Sequence, residues 1–364
     1  MYLSHLYLNN FKNYTEAELD FCPRINCFIG NNGSGKTNLL DAVHYLSFTK
    51  SYFGAADREN IRYGQEFFSL NGRYAGEEIE MEVNLVQRKG QRKILKCNQK
   101  EYDRMSDHVG RIPLIMISPQ DQELIYGGSE LRRRFLDSVI AQFSRPYLEN
   151  LIRYNRTLEQ RNRLLKQDSI DAALIEVFDA QLCEYGNLIF AERQAFVERF
   201  VPVFRNYYNL IAGSGEEAGL VYRSQLQDRP FDRMLAETAQ KDRFLQYTSA
   251  GTHKDDLQLL LDGHPIRQCG SQGQQKSYLL ALRLSQLHCI ADIRHTCPIL
   301  LLDDIFDKLD HERVTRLMTV VGTENFGQVF LSDTHHGRVR ELFAQHASDH
   351  RIFRIEKAVP LLIE

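Results

Sequence analysis

No tryptophan occurs in this chain, and it has no C-x-x-C pair, no internal repeat and no low-complexity tract. Nor does any apolar run approach the roughly 18 residues that a membrane-crossing helix needs. The opening MYLSHLYLNNFKN has neither a basic start nor a long apolar centre, so no export signal is read there. These absences point to a soluble, cytoplasmic protein without a membrane partner. The seven cysteines (Cys22, Cys27, Cys97, Cys183, Cys269, Cys289, Cys297) are odd in number and scattered. That excludes a disulfide framework or a zinc ribbon and leaves reduced, mostly buried thiols. At 364 residues the chain is too long for one compact core, which predicts two lobes or one domain with a large insertion.

An excess of one charge sign is missing as well, since 45 Lys and Arg stand against 48 Asp and Glu for a formal net charge of −3. The balance is uneven along the chain. Arg88 to Arg104 carries seven cations against Glu101 and Asp103, a local +5. Leu131 to Lys166 carries nine against Asp137, Glu149 and Glu159, a local +6, which leaves the remainder at −14. Basic surfaces on an acidic body suit nucleic acid, although solvated helix faces read the same way.

What is present concentrates in Ile25 to Thr37, INCFIGNNGSGKT. Gly30, Gly35, Lys36 and Thr37 fill every fixed position of the P-loop pattern G-x-x-x-x-G-K-S/T, between an apolar strand-like run and the helical spacing of NLLDAVHYLSF. To cradle a triphosphate, the backbone of Gly30, Asn31, Asn32, Gly33, Ser34 and Gly35 must turn its N–H groups inward. That requires positive φ and no Cβ at the closest approaches. Lys36 then meets the β and γ phosphates and the Thr37 hydroxyl ligates Mg²⁺, so ATP and Mg²⁺ are the expected cofactors. A glycine-rich turn matching by chance is the alternative, and the flanking strand and helix argue against it.

Pro298 to Asp304 reads as a buried strand ending in two carboxylates, a Walker B element with Asp303 placed to hold Mg²⁺ directly or through water; an ordinary strand ending at a helix N-cap is the alternative, and the P-loop in the same chain argues against it. Ser271-Gln272-Gly273-Gln274 opens a further helix, and a Ser-x-Gly-Gln turn at a helix N-terminus is a second anion site. Strand-like alternation is read on both sides of a Lys89-Gly90 turn, from Glu78 to Gln87 and from Gln91 to Cys97. It places Arg92, Lys93 and Lys96 on an edge hairpin as candidate DNA contacts. From Leu131 to Tyr208 only Pro146, Gly186 and Pro202 interrupt apolar residues at helical intervals. This predicts two long helices, the second capped by Asp168 or Ser169.

The order of these motifs resembles the ABC-type ATPase head: Walker A, a glutamine loop at Gln120, the S-x-G-Q signature, Walker B with its D-loop at Asp307 to Asp310, and a switch segment from Val329 to His335. Within that class the chain resembles the RecF family over nearly its whole length. The resemblance is carried by LNNFKNY with GNNGSGKTNLLDAV, by ISPQDQELIYGGSELRRRFLD, by TSAGTHKDDLQLLLDG, and by GSQGQQKSYLLALRLSQ with LLLDDIFDKLD. It implies an α/β P-loop NTPase of the ABC-ATPase head type with an inserted, mainly helical second lobe. The expected divisions are an ATPase lobe at 1–122, a helical arm at 123–212, and the rest of the ATPase lobe at 213–364.

It also implies a weak ATPase that forms an ATP-dependent homodimer in which Ser271, Gly273 and Gln274 cap the nucleotide of the other protomer. Gln120, Lys36 and Asp304 are carried over as catalytic. Such proteins bind duplex DNA or gap junctions and, with RecR and RecO, help place RecA on gapped DNA. The stretch KSYFGAAD lacks the arginine common there, so no nucleotide contact is carried over to it, and Thr334, His335 and His336 compete for the switch role. Another SMC-like or ABC-type head acting on DNA is the alternative, but the helical text permits only a short arm and has no zinc hook. A small-molecule kinase has no use for the S-x-G-Q turn.

Overall fold

Alternate apolar residues of the opening stretch, Leu6 and Leu8 among them, are buried in β1 (Tyr2–Asn9) of the computed structural model. The structure describes residues 1–76, 80–213, 215–305, 311–323, 327–335, 337 and 349–364. β1 pairs antiparallel with β2 (Glu16–Asp20) across a turn in which Asn10 and Lys12 both take φ of 51°. β3 (Ile25–Ile29) is buried at every position and runs through the P-loop into α1 (Lys36–Phe48).

A meander of β4 (Phe67–Ala75), β5 (Glu80–Arg88), β6 (Ile94–Cys97) and β7 (Lys100–Glu101) completes an antiparallel sheet of order β2-β1-β4-β5-β6-β7. The residues flanking the Lys89-Gly90 turn do pair across β5 and β6, although the expected strand residue Glu78 lies outside the described residues. β8 (Leu114–Ile117) leads to α2 (Glu123–Tyr126), α3 (Ser129–Phe143), α4 (Arg145–Leu164) and α5 (Ala172–Ala212). Then come β9 (Ala218–Arg223), α6 (Phe231–Leu245), β10 (Asp256–Leu261), β11 (His264–Pro265), α7 (Ile266–Cys269) and α8 (Gln272–Arg294). β12 (Ile299–Leu302), α9 (His311–Thr323), β13 (Val329–Asp333), β14 (His350–Glu356) and β15 (Val359–Leu362) close the chain.

The chain divides into two units. The first comprises Met1–Asp121, Leu210–Gly213 and Lys276–Glu364. Its second sheet, ordered β15-β14-β3-β13-β12-β8, is parallel apart from β15. One apolar core joins both sheets to α1, whose Leu39, Leu40, Val43 and Leu46 are fully buried alongside Leu6, Phe68, Leu114 and Phe330. From Leu39 to Ser47 every residue of α1 is buried, the polar Asp41, His44 and Ser47 included, as that sandwiched position requires.

The second unit comprises Gln122–Asn209 and Ser214–Gln275, which corrects the expected division: residues 214–275 go with the helices, not with the ATPase lobe. The reason is packing. β9, β10 and β11 make a small antiparallel sheet that buries Leu220, Tyr222, Leu257 and Leu259, and Arg193 of α5 is ion-paired with Asp255 at 2.9 Å. The first of the two expected long helices is divided into α3 and α4, because the Ser144 hydroxyl caps α4 by accepting from the Tyr147 N–H with Pro146 in the first turn. Asp171, rather than Asp168 or Ser169, caps α5, accepting from the Leu174 N–H at 3.2 Å. The cysteines are free, but Cys269 and Cys297 are exposed and only Cys22, Cys27 and Cys289 are buried, so the expectation of mostly buried thiols does not hold. No described helix is long and apolar enough to cross a membrane.

Candidate functional site

The carboxyl ends of the parallel strands β3, β13, β12 and β8 share one edge of their sheet, the edge at which such sheets hold ligands. Gly30 follows β3, Asp333 ends β13, Asp303 follows β12 and Ser118 follows β8. The loop after β3 needs its glycines. Gly30, Gly33 and Gly35 take φ of 156°, 77° and 118°. A Cβ would stand 2.5 Å from the Ile355 carbonyl oxygen at Gly30 and 2.8 Å from the Tyr14 hydroxyl at Gly35. Tyr14 donates to the Gly35 carbonyl at 3.1 Å, and the Asn38 amide donates to the Asn13 side-chain oxygen at 2.7 Å. The LNNFKNY turn therefore buttresses the P-loop from behind.

Within the loop, Lys36 Nζ donates to the carbonyls of Gly30 at 2.6 Å and Asn31 at 3.0 Å. Thr37 Oγ1 and Ser332 Oγ each donate to Asp303 Oδ1 at 2.9 Å. The Asp304 N–H donates to Ser332 Oγ, also at 2.9 Å, so this serine ties the Asp303 carboxylate to the backbone of Asp304. Burial pushes the Asp303 carboxyl up and the Asp304 charge adds to this, against the hydrogen bonds from Ser332 and Thr37 and the charge of Lys36. Asp304 is held at a left-handed φ of 49°, and its Oδ1 is buried without a hydrogen-bond partner among the described residues. A hydroxyl and a carboxylate oxygen side by side are the hard donors that Mg²⁺ takes, and the glycine cradle has the form a phosphate chain requires.

Gln120 is exposed in the turn that follows β8, and among the described residues its bond is from the backbone N–H to Ser118 Oγ at 3.1 Å. Its neighbour Asp121 is the buried residue, accepting from Tyr52 at 2.6 Å, from Arg283 at 2.5 Å and from the Ser118 N–H at 3.0 Å. In the switch segment the His335 N–H donates to Asp333 Oδ1 at 2.7 Å. His336 and Asp307 to Asp310 lie outside the described residues. Beside the P-loop a cavity of about 550 Å³ is lined by residues 29–34, Thr334 and residues 354–357.

Among the candidate DNA contacts, Arg92 and Lys96 are exposed, but Lys93 is not available. Its ammonium is nearly buried and paired with Asp57 at 2.8 Å, where it also reaches the Tyr45 hydroxyl at 2.9 Å and the Thr49 carbonyl. Its place in that set is corrected: the Gln91 to Ile94 segment turns this side chain inward, and an ammonium leaving water needs a carboxylate.

In the second unit, Ser271, Gly273 and Gln274 form the N-terminus of α8. Gln274 Oε1 accepts from the Ser271 N–H at 2.6 Å and Ser271 Oγ accepts from the Gln274 N–H at 3.3 Å, a reciprocal cap. Two of the stretches that carried the resemblance prove to be partners there. Arg132 grips Asp256 with two bonds at 2.7 and 3.1 Å, and Arg133 donates to the Asp255 carbonyl at 2.7 Å. Reading the sequence missed Asn13, Tyr14 and Ser332 as supports of the site. All three stand inside stretches already singled out, LNNFKNY and the switch segment, but nothing in either says which side chains turn toward the loop.

The family described as "RecF/RecN/SMC N terminal domain" matches residues 2–348. A "DNA replication and repair protein RecF" of Parabacteroides distasonis is 48% identical, with 98% of each chain covered. A protein of the same description from Flavobacterium johnsoniae is 45% identical over 98% of this chain and all of its own. Among solved structures, "the recombination mediator protein RecF-ATPrS in RecFOR pathway" superposes with a TM-score of 0.89 at 27% identity, covering 100% of this chain and 98% of that one. An Smc head domain from Pyrococcus furiosus, at 15% identity and a TM-score of 0.58 with 100% and 96% covered, shares the fold.

Proposed function

Because the chain belongs to the RecF family, we propose that it is an ATP-dependent DNA-binding protein of gap repair that dimerises on ATP and, with RecR and RecO, promotes loading of RecA. The observation that carries the nucleotide reading is the 2.9 Å contact between Thr37 Oγ1 and Asp303 Oδ1 beside the glycine cradle. It brings a P-loop hydroxyl and a Walker B carboxylate into one cation-binding pair. Thr37 and Asp303 would hold Mg²⁺, which when bound neutralises phosphate charge and orients the phosphates.

Each side chain has a distinct task. Lys36 exchanges its two carbonyl partners for phosphate oxygens, a stronger, charge-assisted pairing. Asp304 Oδ1, lacking a partner among the described residues, accepts a hydrogen bond from water and holds it for attack. Gln120, exposed in the turn after β8, senses the nucleotide, and Ser271, Gly273 and Gln274 offer the N-terminus of α8 to the nucleotide of a second protomer. DNA contact falls to Arg92 and Lys96 on the β5–β6 hairpin.

Mass in solution and duplex binding, each measured with and without ATP, test this reading. The parent protein should double in mass and bind DNA only with ATP, and Lys36→Ala should do neither. Asp304→Asn should bind ATP, hydrolyse it more slowly and stay dimeric longer. A Lys36→Ala protein that still dimerises with ATP would remove the assignment.

A further inference from the structure

The cavity beside the P-loop has a second wall, built by the last hairpin of the chain. β14 runs parallel to β3 with Arg354 opposite Ile29, so its final residues stand level with the start of the loop. The strand reverses into β15 through Lys357 and Ala358 alone, Glu356 pairing with Val359. Both turn residues take left-handed φ, 48° and 61°, without being glycine. That conformation is uncommon for residues with side chains and persists where the surroundings hold it. Here the P-loop does so: the Ala358 N–H donates to the Ser34 carbonyl at 2.9 Å, and Gly30 passes so close to the Ile355 carbonyl that no Cβ fits.

This attachment sets Arg354 and Lys357 on the wall of the roughly 550 Å³ cavity, facing the backbone of Asn31 to Ser34. Both side chains are exposed, and among the described residues Arg354 has an ion pair to Glu356 at 4.0 Å. A long, solvated pair of that kind is weak and gives way to a better anion. No aromatic ring lines the cavity among its described residues, so a purine has nothing to stack on there. A guanidinium and an ammonium opposite the glycine-bearing backbone of Gly30 to Gly33 suit a phosphate instead, although the Glu356 carboxylate lines the same wall.

We propose that Arg354 and Lys357 contact the terminal phosphate of the bound nucleoside triphosphate, so that the β14–β15 hairpin distinguishes ATP from ADP. The inference rests on the P-loop reading above. Equilibrium binding of ATPγS and of ADP, both with Mg²⁺, to the full chain and to Arg354→Gln, Lys357→Gln and the double variant provides the test. The double variant should bind ATPγS about tenfold more weakly and ADP less than twofold more weakly, with an unchanged melting temperature.

Equal losses for the two nucleotides would overturn the proposal. With a lowered melting temperature they would mean that the hairpin only braces the loop, and without one, that the cations meet the inner phosphates or the nucleoside. Unchanged affinity for both would mean that the cations face solvent, which also overturns it. Lys36→Ala separates the premise from the inference: if it binds ATPγS as the parent does, the P-loop reading fails and this proposal falls with it.

Discussion

Lys93 donates to the Asp57 carboxylate, the Tyr45 hydroxyl and the Thr49 carbonyl, three acceptors at or near the C-terminal end of α1. An ammonium there also meets the negative end of the helix dipole. Arg92 and Lys96, one and three residues away, are exposed. The three cations should therefore part company when replaced. Lys93→Gln should lower unfolding free energy by about 1–3 kcal/mol, the usual loss for a hydrogen-bonded charge, and leave the salt dependence of duplex binding alone. Arg92→Gln with Lys96→Gln should leave urea unfolding unmoved while flattening the slope of log K against log salt by up to about 2. If Lys93→Gln flattens the slope and does not destabilise, the inward assignment is wrong. An unmoved slope in the double variant would shift the DNA path to the exposed arginines of α4, Arg153, Arg156 and Arg163, while Arg161 is buried against Asp242 at 2.8 Å.

Each unit stakes part of its packing on a neutral histidine. On α1, His44 Nδ1 donates to the Lys50 carbonyl at 3.1 Å and the ring stacks on Phe48. Before β10, His253 lies between the Tyr154 hydroxyl at 2.8 Å and the Thr248 carbonyl at 3.0 Å. The carbonyl can only accept, so Nε2 carries the proton and Nδ1 receives the tyrosine hydrogen. Burial lowers the pKa of both rings to about 4. Between pH 4 and 6.5 the unfolded chain then binds more protons than the folded one, so stability is whole above about 6.5 and is lost as pH falls toward 4. The loss should approach roughly 3 kcal/mol per histidine, and His44→Gln or His253→Gln should flatten the stability profile in that window. A profile equally steep in both variants would place the proton uptake on other groups. Close packing governs other elements of the second unit: a Cβ at Gly186 of α5 would stand 2.6 Å from the Phe231 ring of α6.

At the scale of the whole molecule, the P-loop with Asp303 lies in one unit and the Ser-x-Gly-Gln cap in the other, the boundary falling inside α8 after Gln275. Ser271→Arg should leave ATP binding by the monomer intact while abolishing ATP-driven dimerisation and most hydrolysis, because a bulky cation at the cap obstructs a second protomer. Loss of monomer binding would show Ser271 supporting the P-loop of its own chain. The P-loop, the strand ending in Asp303 and Asp304, and the cap at Ser271 were legible in the sequence because each is a local backbone demand met by consecutive residues: glycines where φ is positive, a buried apolar strand, a serine and glutamine three apart. Tertiary structure alone decided that Lys93, Arg132 and Arg161 serve the fold and that residues 218–261 join the helices. It alone brought Arg354 and Lys357 to the P-loop cavity. Those outcomes depend on partners up to hundreds of residues away, as when Ser34 meets Ala358, and no local pattern specifies which distant segment will lie opposite a given side chain.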